Sequence, residues 1–137
     1  MQKIAVFAAA AVLLSAPSLA QNAGRFDGRW MTTVVCPEAR DARGYRLVFD
    51  SQVVNGTLHG TYGAEGRAPW LRLEGQIQPD GSALLYAHGQ TGDPDVAVGH
   101  VNAGTPYSYR ATARFDGSQG SGNRLDVRPC NLSFVKR

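Results

Sequence analysis

This sequence has little lysine, little excess of either charge and no recognisable catalytic motif. Lys3 and Lys136 are its only lysines, and 14 basic residues stand against 11 acidic ones, for a formal charge of +3. The acidic residues are interspersed among the basic ones, so there is no basic cluster of the kind that binds a nucleic-acid backbone. The chain has no Gly-x-Ser-x-Gly, His-Glu-x-x-His or P-loop motif. These absences predict no nucleic-acid partner and leave the sequence without the signature of a known enzyme class.

The first 20 residues have the layout of a secretory signal peptide. Lys3 precedes an apolar run over residues 4–14, and Ser18 and Ala20 supply the small side chains expected before a cleavage site. We predict no membrane span, because the run is well short of the roughly 20 residues that a spanning helix needs. Removing residues 1–20 of 137 leaves 117 residues, 21–137, which suits one domain. We therefore expect an exported protein, periplasmic or extracellular.

The sequence contains two cysteines, Cys36 and Cys130. An oxidising compartment favours their union in a disulfide, whereas a reactive thiol or a metal pair would need neighbouring residues that the sequence does not supply. Closing a loop of ~94 residues would stabilise the fold by about 4–5 kcal/mol on the chain-entropy model. We predict a structural disulfide.

Alternation of apolar and polar residues, interrupted by glycine-containing turns, predicts an all-β protein. The alternation is clearest from Leu71 to Ile77 and from Tyr107 to Phe115, and Asn55-Gly56 is the strongest hairpin signal. The eight predicted strands cover residues 26–36, 44–54, 57–63, 70–78, 82–91, 96–101, 106–116 and 123–136. Short connections favour a single antiparallel up-and-down barrel, and a two-sheet β-sandwich is the alternative.

The disulfide predicts how such a barrel closes. If the first and last strands pair antiparallel with Cys36 opposite Cys130, then Val34 faces Leu132, Thr32 faces Phe134 and Trp30 faces Lys136. Side chains opposed in this way approach to about 4.5–5.5 Å at Cβ, which is close enough to pack.

The side chains predicted to face the interior are almost all apolar. They are Phe26, Trp30, Leu47, Phe49, Leu58, Tyr62, Leu71, Leu73, Ile77, Leu85, Tyr109, Phe115, Leu132 and Phe134. Catalytic groups inside a barrel would have to be polar, positioned and hydrogen-bonded. The three histidines fall on separate predicted strands, without the clustering of a metal site. We therefore expect a filled core, no cofactor, no metal and a protein that is not an enzyme.

Two resemblances arise from short motifs. Gly28-Arg29-Trp30 resembles the Gly-x-Trp of the first strand in lipocalin-like and avidin-like β-barrels. In lipocalins that tryptophan packs against an arginine, a role that the resemblance would give to Arg128 or Lys136. The segments Asn55-Gly56-x-Leu58-x-Gly60 and Gly104-Thr105-Pro106-Tyr107, with Cys36-Pro37 and Arg128-x-Cys130, are similar to a group of small exported bacterial proteins of unassigned function. The second resemblance implies export and no particular activity.

Alternate connections of an up-and-down barrel emerge at opposite ends, which predicts where binding residues gather. Turns at 55–56, 79–81 and 102–105 are predicted at one end, and the generally longer connections at 37–43, 64–69, 92–95 and 117–122 at the other. Longer loops on a rigid scaffold are where binding residues usually lie. The candidate binding residues there are Arg43, Arg67, Trp70, Asp93 and Asp95.

Three functions remain open from the sequence. The first is an exported, non-catalytic, inhibitor-like binding protein that meets a protein partner through the loops at one barrel end. The second is a small-ligand carrier of lipocalin or avidin type, and the third is an envelope hydrolase. We expect the protein to be a monomer, with an unknown protein or small ligand as its partner.

Overall fold

The structure, a computed structural model, describes residues 24–126 and 128–137, together with residues 2, 5, 6 and 8–13 near the N-terminus. The predicted cleavage site after Ala20 lies outside these residues. Among the described residues, no helix has the length and apolar character needed to cross a membrane.

The described residues form eight antiparallel strands that close into one barrel in chain order. The strands are β1 (Gly28–Cys36), β2 (Tyr45–Val54), β3 (Thr57–Ala64), β4 (Arg67–Ile77), β5 (Ser82–Gln90), β6 (Pro106–Asp116), β7 (Gln119–Arg124) and β8 (Asn131–Lys136). Three short 3₁₀ turns accompany them at Gly24–Phe26, Pro94–Val96 and Val98–His100. The predicted all-β, up-and-down barrel is confirmed, and the sandwich alternative is wrong.

Closure between β1 and β8 follows the predicted register. Trp30 pairs with Lys136, Thr32 with Phe134 and Val34 with Leu132. Cys36 and Cys130 lie one step beyond the last paired residues, with their Cα atoms 4.2 Å apart, and form the predicted disulfide. Because alternate residues of a strand share a face, both cysteines point inward with the core residues that precede or follow them.

The strand predicted over residues 96–101 is wrong. Pro94 and Asp95 begin a 3₁₀ turn there, with the Asp93 side chain accepting a hydrogen bond from the Asp95 N–H at 2.9 Å. Gly99 and His100 both adopt positive φ, at 77° and 48°, which no extended strand allows. Residues 91–105 therefore form one long loop between β5 and β6.

The strand predicted over residues 123–136 is also wrong as a single element. It contains the end of β7, a connection over residues 125–130 and then β8. Residues 119–124, predicted to lie largely within a loop, instead form β7. Gly120 sits beneath the Phe115 ring, where an added Cβ would lie 2.8 Å from Cδ1, so this glycine makes room for an aromatic ring inside the sheet.

The corrected strands redistribute the connections between the two ends of the barrel. The closed end carries the turns at 55–56, 78–81 and 117–118, and the loop end carries 37–44, 65–66, 91–105 and 125–130. The prediction that residues 117–122 lie at the long-loop end, and residues 102–105 at the tight-turn end, is therefore wrong.

Aromatic side chains fill the closed end. The rings of Phe26, Trp30 and Phe134 each pack against Phe115, with centroid separations of 6.0, 5.3 and 4.8 Å. The Trp30 indole N–H donates to the Phe26 carbonyl at 2.8 Å, so its single polar group is satisfied in the core. Lys136 supplies the cation near the Trp30 ring, 5.9 Å from its centroid. Arg128, the other cation considered from the sequence, lies at the loop end.

Candidate functional site

A cavity of about 520 Å³ opens inside the loop end. Its walls come from β2–β7 and from the 91–105 and 125–130 loops. The lining residues are Tyr45, Arg46, Leu47, Tyr62, Pro69, Trp70, Gln90, Thr91, Gly92, Asp93, Val96, Ala97, Val98, Val101, Thr105, Pro106, Tyr107, Arg124 and Arg128. Most of this surface is apolar or aromatic. Because the cavity is open, the interior is not filled at this end, and the prediction of a filled core is wrong here.

Inward-facing aromatic residues form the walls of the cavity instead of filling it. Tyr45, Tyr62 and Tyr107 are each only partly buried where their strands reach the loop end. Gly89 allows Tyr107 to lie close against β5, because an added Cβ would sit 3.0 Å from the end of the tyrosine ring. The missing side chain thus sets the position of one wall.

The 91–105 loop covers one side of the cavity with apolar side chains. Val96, Val98 and Val101, which fall within the strand predicted over residues 96–101, all line it. The base of the loop is closed by backbone hydrogen bonds from Thr91 N to Thr105 O at 2.9 Å and from Gly104 N to Thr91 O at 2.7 Å. A short ladder of this kind fixes where the loop leaves the barrel.

Polar contacts join this loop to the 37–44 loop across the mouth. Arg43 N donates to Asp95 O at 2.8 Å, and the Asp41 carboxylate accepts from Gly99 N at 3.0 Å. The His100 ring bonds to Asp41 O through Nε2 at 2.7 Å. This hydrogen bond, followed by the charges of Asp41 and Asp95, raises the pKa of His100 against a smaller opposing effect of desolvation. The two loops therefore form one connected surface.

Arg128 is the most deeply buried charged side chain among the described residues, at 4% exposure. Its guanidinium donates to Val96 O at 2.5 Å, to Arg43 O at 2.8 Å and to Pro37 O at 3.3 Å. It also lies 5.0 Å from the centroid of the Tyr45 ring. One cation thus ties three loops together and contributes to the cavity wall.

A second arginine, Arg124, reaches the cavity from the end of β7. Its guanidinium lies 4.1 Å above the Tyr109 ring and pairs with the Asp126 carboxylate, with Nη2 to Oδ2 at 3.0 Å. Burial opposes ionisation of Asp126, but the hydrogen bonds from Arg124 and from Arg128 N, with the Arg124 charge, outweigh it and lower the pKa of Asp126. Arg124 therefore faces the cavity with its charge already matched.

The tyrosine hydroxyls at this end stay protonated at neutral pH. Burial, the largest cause, raises the pKa of Tyr45, Tyr107 and Tyr109 above the usual value near 10. The Tyr109 hydroxyl is buried and has no hydrogen-bond partner within the described part of the chain. These side chains present apolar rings and neutral hydroxyls, not phenolates.

Trp70 stands at the rim of the cavity. Its indole N–H donates to Gln90 Oε1 at 2.5 Å, and the Gln90 amide donates to Gly104 O at 3.1 Å. These two bonds link β4, β5 and the 91–105 loop, so the ring is held in a defined orientation at the opening.

The five binding residues predicted from the sequence do not form one site. Trp70 and Asp93 line the cavity. Arg43 pairs with Asp93 at 3.3 Å and Asp95 at 3.5 Å in an exposed cluster above it. Arg67 is exposed at the start of β4 and is not part of the cavity wall.

Sequence reasoning did not assign Arg46, Arg124 or Arg128, or two of the tyrosines, to the cavity wall. Arg128 could have been found from parity, because it precedes the inward-facing Cys130 by two residues and shares its side of the chain. Tyr107 was recognised only as part of a strand, and Tyr45 was not singled out. The cavity they surround depends on how far the side chains reach, which alternation alone does not give.

Comparisons with known proteins leave the site to be interpreted from its own geometry. No family model, curated protein or solved structure matches the chain. The resemblance to lipocalin-like barrels and to exported bacterial proteins stays a prediction.

Proposed function

We propose that the protein binds a small, mainly apolar molecule in the cavity at the loop end. The cavity itself carries the proposal, because about 520 Å³ falls within the roughly 300–1,000 Å³ typical of ligand sites. Its composition also fits, with aromatic and aliphatic walls and few polar groups. Of the functions open from the sequence, this is the small-ligand carrier.

The exposed residues of the loop end give less support to a protein partner. Of the predicted binding residues, Arg43, Asp93 and Asp95 are already paired with each other, and Arg67 is exposed away from the cavity wall. Exposed ion pairs contribute little on their own, and a partner would have to replace the existing contacts. The unfilled surface lies inside the barrel, where a small molecule fits and a folded partner does not.

Aromatic rings decide what kind of molecule the cavity would hold. Trp70, Tyr62 and Tyr107 present ring surfaces to the interior, and such surfaces pack well against planar or aliphatic groups. A cavity wall without a filling side chain lacks dispersion partners on one side, so an apolar occupant restores those contacts. We further propose that binding occurs outside the cytoplasm, since the signal-like N-terminus and the disulfide both suit an exported protein.

The test uses N-phenyl-1-naphthylamine, a neutral apolar dye whose fluorescence rises on leaving water. We expect saturable binding of one dye per chain, weakened about tenfold by Trp70→Ala because a stacking surface at the rim is lost. Binding would be followed by dye fluorescence and by calorimetry.

Tyr86→Ala is the matched control. Tyr86 is an aromatic residue on the outer face of β5, 44% exposed, and it is not part of the cavity wall. Its removal should leave dye affinity unchanged. Absence of saturable binding, or equal losses in the two variants, would contradict a ligand site inside the loop end.

A further inference from the structure

Arg128 brings a buried positive charge to the cavity without an acidic partner. Among the described residues, the ion pairs of the barrel involve Arg43, Arg72, His100, Arg124 and Arg137, and Arg128 is in none of them. Three backbone carbonyls and the Tyr45 ring surround its guanidinium. Carbonyl dipoles solvate a cation, but they do not neutralise it.

The guanidinium also has unused donor capacity. Arginine has five N–H groups, and the three carbonyls engage one on Nη1 and two on Nη2. The Nε–H is buried and has no hydrogen-bond partner in the described part of the chain. A buried donor left without a partner is destabilising, so this group favours any acceptor that reaches it.

The remaining charges around the cavity are either paired within the protein or exposed to water. Arg124 pairs with Asp126, and Asp93 pairs with Arg43. Arg46 lies on β2 with its side chain exposed, where water screens it. The desolvated part of the cavity therefore has one unmatched positive charge.

We propose that the ligand of this cavity is a monoanion, an apolar molecule with one carboxylate that pairs with the Arg128 guanidinium. This inference rests on the proposed ligand-binding function and names its substrate class. The apolar body lies against Trp70 and the tyrosines, and the carboxylate accepts from the free donors of Arg128. A guanidinium binds carboxylate well because its planar N–H groups match the two carboxylate oxygens.

A dianion fits the same place less well. A doubly charged phosphate would leave one negative charge unmatched in a mainly apolar cavity, and burying unmatched charge is costly. An uncharged ligand would leave the Nε–H without an acceptor unless it carried a carbonyl at that point. A single carboxylate on the ligand balances the single unpaired guanidinium charge of Arg128.

The experiment compares 2-naphthoate with 2-naphthamide, which have nearly the same shape and differ in charge. Both are titrated against the bound dye in the unaltered protein at pH 7, where the carboxylic acid is ionised. We expect naphthoate to displace the dye at least about tenfold more effectively, the range expected for a charged hydrogen bond. Arg128→Gln should bring that ratio close to one.

Arg110→Gln is the matched control, since Arg110 lies exposed on the outer face of β6 and the variant removes the same charge. It should retain the preference for naphthoate. If Arg128→Gln does not fold, salt dependence in the unaltered protein locates the anion instead. A pair buried at Arg128 should keep its preference within about threefold between roughly 0.05 and 0.5 M salt, whereas an anion held at the exposed rim should lose it.

Each result separates the two proposals. Dye binding with equal displacement by naphthoate and naphthamide, or with displacement by neither, overturns the monoanion and leaves the ligand site standing. A preference that survives in folded Arg128→Gln, or that salt abolishes, overturns the role of Arg128. Failure of the dye to bind overturns the ligand site itself.

Discussion

The two ends of the barrel are held together by different chemistry. At the closed end, Phe26, Trp30, Phe115 and Phe134 interlock and fill the interior. At the loop end, the disulfide, the Arg128 contacts and the bonds between the 37–44 and 91–105 loops tie the wall together from its periphery. The interior there is left open.

The two ends of this small domain therefore differ in how much of the interior their side chains fill. Filling a core with rings stabilises the fold but leaves no room for a ligand. Cross-linking the wall instead preserves the shape of a cavity that its own side chains do not fill. We infer that the loop end depends on its cross-links because it lacks the packing that the closed end has.

Removing the disulfide should cause the largest loss of stability among these tests of the two ends. Cys36 and Cys130 are 94 residues apart in sequence, so the Cys36→Ala/Cys130→Ala protein should lose about 4–5 kcal/mol of unfolding free energy. Urea denaturation measures the loss, and the reduced natural chain serves as the control. Hydrogen exchange should accelerate most at the loop end. An unchanged urea midpoint would show that the bond does not support the wall.

The two tryptophans give the next largest contrast. Trp30→Ala removes a ring that is 0% exposed and should cost about 3–5 kcal/mol, because the closed end cannot fill the space. Trp70→Ala removes a half-buried ring at the rim and should cost about 1–2 kcal/mol while weakening ligand binding. Thermal and urea unfolding compare the two variants. Equal costs would mean that the ends are not packed differently.

The smallest effect is a pH dependence of the contact between the loops. His100 has a pKa raised above its ordinary 6.5 in the folded protein, so its stabilising contribution is complete below that value and is lost as pH rises through the raised pKa. The Gly99 N–H hydrogen bond lowers the pKa of Asp41 below 3.8, so that contribution is lost as the solution becomes acidic. The contact should be strongest between about pH 4 and 6.5.

Hydrogen exchange of the Gly99 amide, corrected for its intrinsic rate, measures this effect. Protection should fall between pH 5 and pH 8, and His100→Gln should remove most of the change. The Ser82 amide at the closed end is the internal control, because it donates to Asp80, whose pKa is lowered by its hydrogen bonds with Ser82. Asp80 is ionised at both pH values, so Ser82 should not change. Equal changes at both amides would exclude a titrating contact between the loops.

The fold could be predicted from the sequence where local pattern and long-range constraint agreed. Strict alternation in β6 gave its bounds, 106–116, without error. The cysteine pair fixed the register between β1 and β8, because a disulfide and inward-facing neighbours allow only one alignment. The pairing of β1 with β8 that closes the barrel followed from the disulfide and the inward-facing residues beside it.

The errors in strand assignment arose where one sequence pattern is compatible with either a strand or a loop. Residues 96–101 were predicted to be a short strand, but Val96, Val98 and Val101 belong to a loop whose apolar side chains line a cavity. Gly120 and Gly122 have the appearance of a turn, but in β7 their missing side chains accommodate Phe115 and Ala113 on the neighbouring strand. In both cases the deciding contacts are with residues distant in sequence.

The candidate site was less predictable than the fold. Trp70 and Asp93, chosen from the sequence because of loop length, line the cavity at the loop end. Arg128 was considered only as a cation for Trp30, since its role at the loop end depends on three carbonyls from residues 37, 43 and 96 that only the folded chain brings together. A buried cation is identified by its surroundings, and those are a tertiary property.

The positions of the two tryptophans have an optical consequence. Trp30 is enclosed by rings at the closed end, and Trp70 is partly open to solvent at the mouth of the cavity. Indole emission shifts to longer wavelength in polar surroundings, so the short-wavelength side of the spectrum should come mainly from Trp30 and the long-wavelength side mainly from Trp70. With only two tryptophans in the chain, unlabelled protein can report separately on the integrity of its core and on occupancy of its cavity.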